Sequence, residues 1–321
     1  MRRTFKKTPQ WLHVALALLL VMLVLVVLLP TVQEEVVLNQ SLVQEQEGML
    51  DRESPSNALS NSNPENPLNF AYEALTEEKS LQAPKDVEEA VVPQKLPESG
   101  IALVMDDVGY DLNALKRVLA LPFPVSISVL PDAPAAVKAA TMAHEAGEVV
   151  MLHLPMEPSN AKYRSRMTES FLRIDMTEAQ IRERFYAALK QVPYVVGVNN
   201  HMGSLLTTLE APMKWVMAIC KERALFFVDS KTSHTSVAAD IASEYGLIWG
   251  TRQIFLDHTV DAEDLKMAWA AAIRCAEQQK SCIVIAHPHA ETLNFLEQQV
   301  AEKDHHFIHP VTSMLHTGGE S

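Results

Sequence analysis

Apolar residues follow two different periods from Ile101 onward. Short apolar runs predict strands at 101–105, 125–130, 148–153, 194–199, 224–229, 246–249, 282–286 and, more weakly, 306–309. Between them, apolar residues spaced three and four apart predict helices at 111–120, 134–146, 177–191, 210–223, 235–244, 261–279 and 290–302. Thr177 and Gln180 form a candidate capping box, and Gly147 and Gly246 stand where helices should end.

Strands that alternate with helices in this way indicate parallel β-α-β units. Seven or eight such units in one stretch favour an α/β fold, an irregular (β/α)7–8 barrel that is complete or slightly open. An open, doubly wound sheet is the alternative. Against it, the sequence Asp-Asp-Val-Gly-Tyr after the first strand is not the glycine-rich loop that cradles phosphate groups.

The first third of the chain has a different pattern. Residues 1–10 carry four basic side chains and no acid, and residues 11–30 are almost wholly apolar, which predicts a cytoplasmic flank and a transmembrane signal anchor. A cleavable signal peptide is the alternative, although the run has no Ala-x-Ala cleavage pattern. Residues 31–99 are polar and rich in proline, and we expect a disordered linker there. Residues 100–315 form the expected barrel, and 316–321 are a tail.

Composition adds two constraints. The net charge of −13 argues against nucleic acid as a partner. Cys220, Cys275 and Cys282 have neither the spacing of metal ligands nor that of a disulfide framework, so we expect small core residues. A disulfide between Cys275 and Cys282 in an oxidising compartment is the alternative.

Titratable residues end five of the predicted strands. They are Asp106 with Asp107, His153, His201, Asp229, and His287 with His289. Any one of them could be an ordinary turn, cap or hydrogen-bonded residue. A parallel barrel gathers the carboxyl ends of its strands on one face, however, and active sites form there. The joint pattern therefore predicts a site in which one carboxylate takes a proton and its neighbour holds a metal.

Six blocks of sequence carry further information. They are Ile101-Ala-Leu-Val-Met-Asp-Asp-Val-Gly-Tyr110, Ser126-Ile-Ser-Val-Leu-Pro131, His153-Leu-Pro-Met-Glu-Pro158, Gly197-Val-Asn-Asn-His-Met-Gly-Ser204, Phe227-Val-Asp-Ser230 and Ala286-His-Pro-His289. Their order and spacing resemble those of the divergent polysaccharide deacetylases, a bacterial family of YibQ-type proteins. The resemblance covers residues from about 100 to 315 and implies a NodB-like barrel related to metal-dependent carbohydrate esterases.

The resemblance also implies roles for the polar residues. Asp106 would be the general base and Asp107 a metal ligand. The superfamily's usual pair of histidines on one turn is missing here, so His153 and His201 would complete a three-ligand site, most simply for zinc. His287 or His289 would be the acid that protonates the leaving amine.

Three more residues are candidates for supporting roles. Asp229 could orient a histidine or cap the following turn. Asn199 and Asn200 could bind substrate hydroxyls or cap a loop.

Taken together, these features predict a single-pass protein of the bacterial inner membrane whose barrel lies in the periplasm. The predicted activity is metal-dependent removal of acetyl groups from an N-acetylated envelope polysaccharide such as peptidoglycan. The predicted partners are this glycan and the membrane itself, and no protein partner is indicated. Two alternatives stay open. One is a glycoside hydrolase that pairs Asp106 with Asp229 or Glu157, and the other is a catalytically degenerate barrel that binds envelope components.

Overall fold

The computed structural model describes residues 100–279, 281–300 and 307–317. The basic flank, signal anchor and linker predicted for residues 1–99 lie outside the described residues, as does the end of the predicted tail. Among the residues that are described, no helix has both the length and the apolar character needed to cross a bilayer.

Seven parallel strands close into one barrel, with β7 paired to β1. They are β1 (Gly100–Val108), β2 (Ser126–Val129), β3 (Val150–Met156), β4 (Gly197–Met202), β5 (Phe226–Asp229), β6 (Trp249–Phe255) and β7 (Ser281–Ala286). The predicted α/β barrel is therefore confirmed, and the open doubly wound sheet is wrong. Of the weak strand predicted at 306–309, residues 307–309 are described; they form no strand, and Ile308 makes an isolated bridge to Ile101.

Eight α-helices surround or flank the barrel in the described part of the chain. They are α1 (Leu112–Leu119), α2 (Ala136–Glu145), α3 (Ala161–Arg164), α4 (Glu178–Gln191), α5 (Glu210–Glu222), α6 (Ala238–Glu244), α7 (Ala262–Gln279) and α8 (Ala290–Phe295). Thr177 and Gln180 make the predicted capping box at the start of α4. Gly147 and Gly246 follow α2 and α6 with φ of +81° and +68°, a conformation that ends a helix most easily at glycine.

The strands that carry the site extend further than their apolar runs predicted. β1 continues through Asp106 and Asp107 to Val108, and β3 and β4 continue past His153 and through His201. β6 was predicted at 246–249 but begins at Trp249. The apolar runs end before the strands do, because the last inward-facing side chains are polar and form hydrogen bonds or ion pairs with one another. The backbone continues its strand pairing through these residues.

Side chains that point into the barrel form an apolar layer beneath a polar one. The lower layer consists of Ala102, Val104, Met151, Phe226, Val228, Ile283 and Ile285, and the C-terminal residues Val311, Met314 and Leu315 pack against it. Since side chains alternate between the two faces of a strand, the next inward positions above this layer are Asp106, His153 and His287. The register of the strands thus brings the titratable residues to one level.

Gly197 leaves room for the ring of Phe226 inside the barrel. The two residues are register partners on β4 and β5, and a Cβ on Gly197 would lie 2.1 Å from that ring. Gly197 is two positions before Asn199 on the same face of β4. The glycine therefore lets a large apolar side chain support the polar layer from below.

We expect Gly197→Ala to destabilise the protein by about 1–3 kcal/mol, because the added methyl group overpacks this position. In a Phe226→Leu background the same substitution should cost less, because the smaller side chain yields the space. Urea unfolding of the four proteins of this double-mutant cycle measures both values. An equal cost of Gly197→Ala in the two backgrounds would contradict the proposed contact.

Candidate metal and acid–base site

Three potential ligand atoms from three strands converge at the carboxyl end of the barrel. Asp107 Oδ1 lies 3.1 Å from His153 Nε2 and 2.9 Å from His201 Nδ1, and the two ring nitrogens are 3.2 Å apart. A tetrahedral ion with ligand bonds of about 2.0–2.1 Å separates its ligands by roughly 3.3 Å. The triangle therefore has nearly the dimensions of one face of a zinc site.

The donor chemistry fits a divalent metal as well as the distances do. Asp107 Oδ1 is buried and makes no hydrogen bond of good geometry, although both ring nitrogens are close. An oxygen and two ring nitrogens that face one another need a proton or a cation between them. Two imidazoles and one carboxylate are a typical zinc set with an open position. His201 and Asp107 are partly exposed, so solvent reaches these two potential ligands.

A bulge in β1 brings two adjacent aspartates into the same site. Neighbouring residues on a regular strand point to opposite faces. The register between β1 and β2 shifts between Met105 and Val108, and Asp107 has a φ of +55°. Bulges re-aim side chains in this way, and a non-glycine residue in the left-handed region costs on the order of 1–3 kcal/mol. Local backbone strain is thus tied to the predicted metal ligand.

The two aspartates have pKa values shifted in opposite directions. Burial raises the pKa of Asp106 above its ordinary value, against the opposing effect of His153 and His287. Burial acts on Asp107 as well, but the charge of His201 and the contacts with His153 and His201 outweigh it and hold the pKa of Asp107 well below its usual range. Asp107 is therefore the carboxylate suited to permanent ligation, and Asp106 is the one suited to exchanging a proton.

His287 follows β7 and is held by a buried carboxylate. Its Nδ1 lies 3.1 Å from Asp257 Oδ1, its backbone N–H donates to Asp257 Oδ2, and its Nε2 lies 3.8 Å from Asp107 Oδ2. Burial alone would lower the pKa of His287, but the charge of Asp257 dominates and raises it to about 10. At neutral pH the imidazole is therefore protonated, with Nε2 directed towards the site.

Comparisons with known proteins agree with this fold. A family model for divergent polysaccharide deacetylases matches residues 103–314. The chain belongs to this family. The uncharacterised protein YibQ of Escherichia coli K12 is 37% identical over 200 residues, which are 62% of this chain and 62% of that protein. The chain thus aligns with about three fifths of that relative's length.

Two further relatives extend the comparison. An uncharacterised protein of Haemophilus influenzae Rd is 36% identical over 200 residues, or 62% of this chain and 70% of that protein. The crystal structure of the uncharacterised protein ATU2773 from Agrobacterium tumefaciens C58 superposes with a TM-score of 0.64 at 18% identity, over 69% of this chain and 91% of that one. The last similarity concerns the fold alone.

Within this family member, Asp257 is the functional candidate that the sequence reasoning missed. It is buried and accepts hydrogen bonds from His287 and from Thr292 Oγ1. It was missed because β6 was predicted at 246–249, whereas the strand ends at Phe255. With the correct boundary, Asp257 would have been recognised as a further titratable residue that follows a strand. Asp229 instead accepts from the backbone N–H of Lys231 and from the side chain of Ser236, which matches the capping alternative.

His289 shares a second group of potential ligands with Asp257 and His287. In this group Asp257 already accepts three hydrogen bonds, two from His287 and one from Thr292. The carboxylate is therefore occupied in orienting His287, which is also the histidine adjacent to Asp107. Of the two acids predicted, His287 has the better geometry.

Asn199 and Asn200, predicted either to bind substrate hydroxyls or to cap a loop, are both buried. Asn200 accepts from Ser230 N–H and donates to the carbonyl of Met202, so it fixes the loops after β4 and β5. Both polar atoms of Asn199 are taken by protein partners, including Asp106 and His153. The contacts of Asn200 match the loop-capping alternative, and a contact of either amide with substrate hydroxyls stays a prediction.

Glu157 and the cysteines also have clear environments. Glu157 Oε2 accepts from the N–H of Ile174, and its Oε1 lies 3.8 Å from Arg164 at the end of α3, so the segment that follows β3 engages the carboxylate. All three cysteines are buried and free, as expected for core residues, and Cys275 does not form a disulfide with Cys282.

We expect the full-length protein to bind one zinc ion, and His201→Ala to weaken that binding by at least about 100-fold, because one of three ligands is lost. Competition with a chromophoric chelator measures the affinity. His289→Ala is the matched control, because it removes a histidine only from the second group of potential ligands. Equal losses in the two variants would contradict the assignment of Asp107, His153 and His201.

Proposed function

We propose that this chain is a metal-dependent hydrolase that removes acetyl groups from an N-acetylated envelope polysaccharide. The observation that carries the proposal is the juxtaposition of three unlike groups around Asp107. These are the ligand triangle, the buried carboxylate of Asp106 and the imidazole of His287, whose Nε2 lies 3.8 Å from Asp107 Oδ2. Hydrolysis of an amide requires a base for water, stabilisation of the oxyanion and an acid for the amine.

The ligand triangle fits zinc, and Asp107, His153 and His201 would hold it. When bound there, zinc supplies a Lewis acid that polarises the amide carbonyl and favours the ionisation of water. Loading requires that His153 give up its proton, since its pKa is raised because Asp106 and Asp107 outweigh the effect of burial.

Asp106 acts as the general base in this proposal. One of its oxygens, Oδ1, accepts a hydrogen bond from Asn199, whereas Oδ2 points towards His153 Nε2 at 3.6 Å. Oδ2 is therefore the oxygen on the ligand side and takes the proton of the attacking water. As that proton moves, the water oxygen forms a bond to the acetyl carbon, and the carbonyl electrons shift to oxygen.

His287 completes the reaction as the general acid. Its Nε2 proton passes to the nitrogen of the glycan as the carbon–nitrogen bond breaks, which releases acetate and a free amino sugar. Asp257 fixes the ring through Nδ1 and stabilises the charged form until that moment. His287 Nε2 is also 3.8 Å from Asp107 Oδ2, so the general acid lies beside one of the three potential ligands.

The N-terminal sequence supports an envelope setting for the substrate. A signal anchor at residues 11–30 and a linker at residues 31–99 would hold the barrel in the periplasm within reach of envelope glycans. Peptidoglycan is the N-acetylated polysaccharide most accessible from that position. This location rests on the sequence pattern alone.

We expect Asp106→Asn to lower kcat for acetate release from N-acetylglucosamine oligomers by about 10²–10⁴-fold, because the base is lost. The asparagine still offers Asn199 an acceptor, so the fold and KM should change little. Acetate is measured by a coupled enzymatic assay on the full-length, zinc-loaded protein, with peptidoglycan as the second substrate.

Asp240→Asn serves as the matched control, since Asp240 is exposed on α6. Its rate should equal that of the wild type. New reducing ends without acetate would favour the glycoside hydrolase instead. A wild-type protein that binds the glycan but forms neither product, with Asp106→Asn unchanged in binding, would favour the degenerate binding module.

A further inference from the structure

Asn199 lies at the centre of the buried polar layer and contacts four other elements of the barrel. Its Nδ2 donates to Asp106 Oδ1 at 2.8 Å and to Ser230 Oγ at 3.2 Å, beside the end of β5. Its Oδ1 accepts from Ser128 Oγ on β2 and pairs with His153 Nδ1 at 2.9 Å. The side chain is fully buried, so these four contacts use its entire hydrogen-bonding capacity.

The carboxylate of Asp106 fixes the orientation of this amide. In the ionised form that accepts a proton from water, Asp106 only accepts hydrogen bonds, so the amide nitrogen must face it. The reversed amide would place its oxygen against a carboxylate oxygen and lose a buried hydrogen bond. The amide oxygen therefore faces His153, and His153 Nδ1 must be the donor of that pair.

This orientation determines which atoms of the two partners remain available. With Nδ1 of His153 protonated, the free lone pair lies on Nε2, the atom that faces Asp107 and His201. With Oδ1 of Asp106 held by the amide, Oδ2 is the free oxygen, and it lies on the side of His153 Nε2. The Asn199 side chain thus leaves His153 Nε2 free as a ligand atom and Asp106 Oδ2 free as a basic atom, and these two atoms face each other.

We propose that Asn199 is a positioning residue that sets the ligand tautomer of His153 and the reactive oxygen of Asp106 together. The inference rests on the proposed function for the second of these roles, because it treats Asp106 as the base. The first role concerns metal binding alone. Asn199 would act through Asp106 and His153 and would not touch the substrate.

Asn200 illustrates what a purely structural amide does in the same strand. It is equally buried, but its partners are the backbone of Met202 and Ser230. Those contacts shape loops without selecting an atom of any titratable group. The partners of Asn199 are side chains that belong to the base and to the ligand set, which is why we assign it more than a packing role.

Two substitutions at Asn199 separate its two contacts. Asn199→Asp keeps an oxygen for His153 Nδ1 but loses the donor to Asp106 and sets a second carboxylate beside it. We expect zinc affinity to be retained or raised, and kcat to fall by about 100-fold with KM changed less than about threefold. Asn199→Leu loses both contacts, so zinc affinity should fall by about 10–100-fold and kcat with it.

Thr207→Val is the control for the loss of a buried hydrogen bond. Thr207 is buried and donates to the carbonyl of Gly203, away from Asp106 and His153. We expect a lower melting temperature and unchanged zinc affinity and kcat. A merely structural Asn199 would behave like this control, so its two variants would lower the melting temperature without separating zinc affinity from kcat.

The experiments use the full-length protein, a chromophoric chelator for zinc and N-acetylglucosamine oligomers for acetate release. Equal zinc affinity in the wild type and Asn199→Leu, including no binding in either, overturns the inference. A wild-type kcat in Asn199→Asp also overturns it. If the wild type releases no acetate, the proposed function fails, and the zinc comparison still decides the role of Asn199 towards His153.

Discussion

A buried carboxylate has to be compensated by donors or counter-charges, and Asp106 imposes that requirement on the whole upper layer of the barrel. It is only 3% exposed. Asn199 supplies a hydrogen bond, and His153 supplies a nearby charge 3.6 Å away. Each of these partners comes from a different strand, so the compensation exists only when β1, β3 and β4 are in their native register. The site and the fold thus depend on one another.

Much of this arrangement follows from the sequence. The period of the apolar runs predicts the parallel barrel, and the positions of Asp106, Asp107, His153, His201 and His287 place them at its carboxyl end. The individual contacts do not follow in the same way. Asp257 was missed because β6 begins three residues later than its apolar run predicted. The contacts of Asn199 with Asp106 and His153 could not be predicted, because strand periodicity does not reveal how deeply an inward polar residue is buried.

The inward direction of the Asp107 side chain is the feature of the site that strand periodicity would not predict. Alternation would send Asp107 outwards, and only the shifted register and the φ of +55° turn its carboxylate back towards the histidines. Strain of this kind persists where surrounding contacts over-determine it. His153 on β3 and His201 on β4 provide such contacts, since both ring nitrogens lie within 3.1 Å of Asp107 Oδ1.

The proposed ligands come from three strands, an arrangement that depends on the fold in a different way from two histidines on one turn. A single turn can keep two imidazoles near each other even when the rest of a domain loosens, because their separation is local. Here a slip of one residue between β3 and β4 would turn either histidine to the other face and open the triangle. A metal that binds only the native register stabilises that register in proportion to its affinity. The proposed metal binding and the closure of the barrel should therefore be coupled, and Asn199 contacts both Asp106 on β1 and His153 on β3.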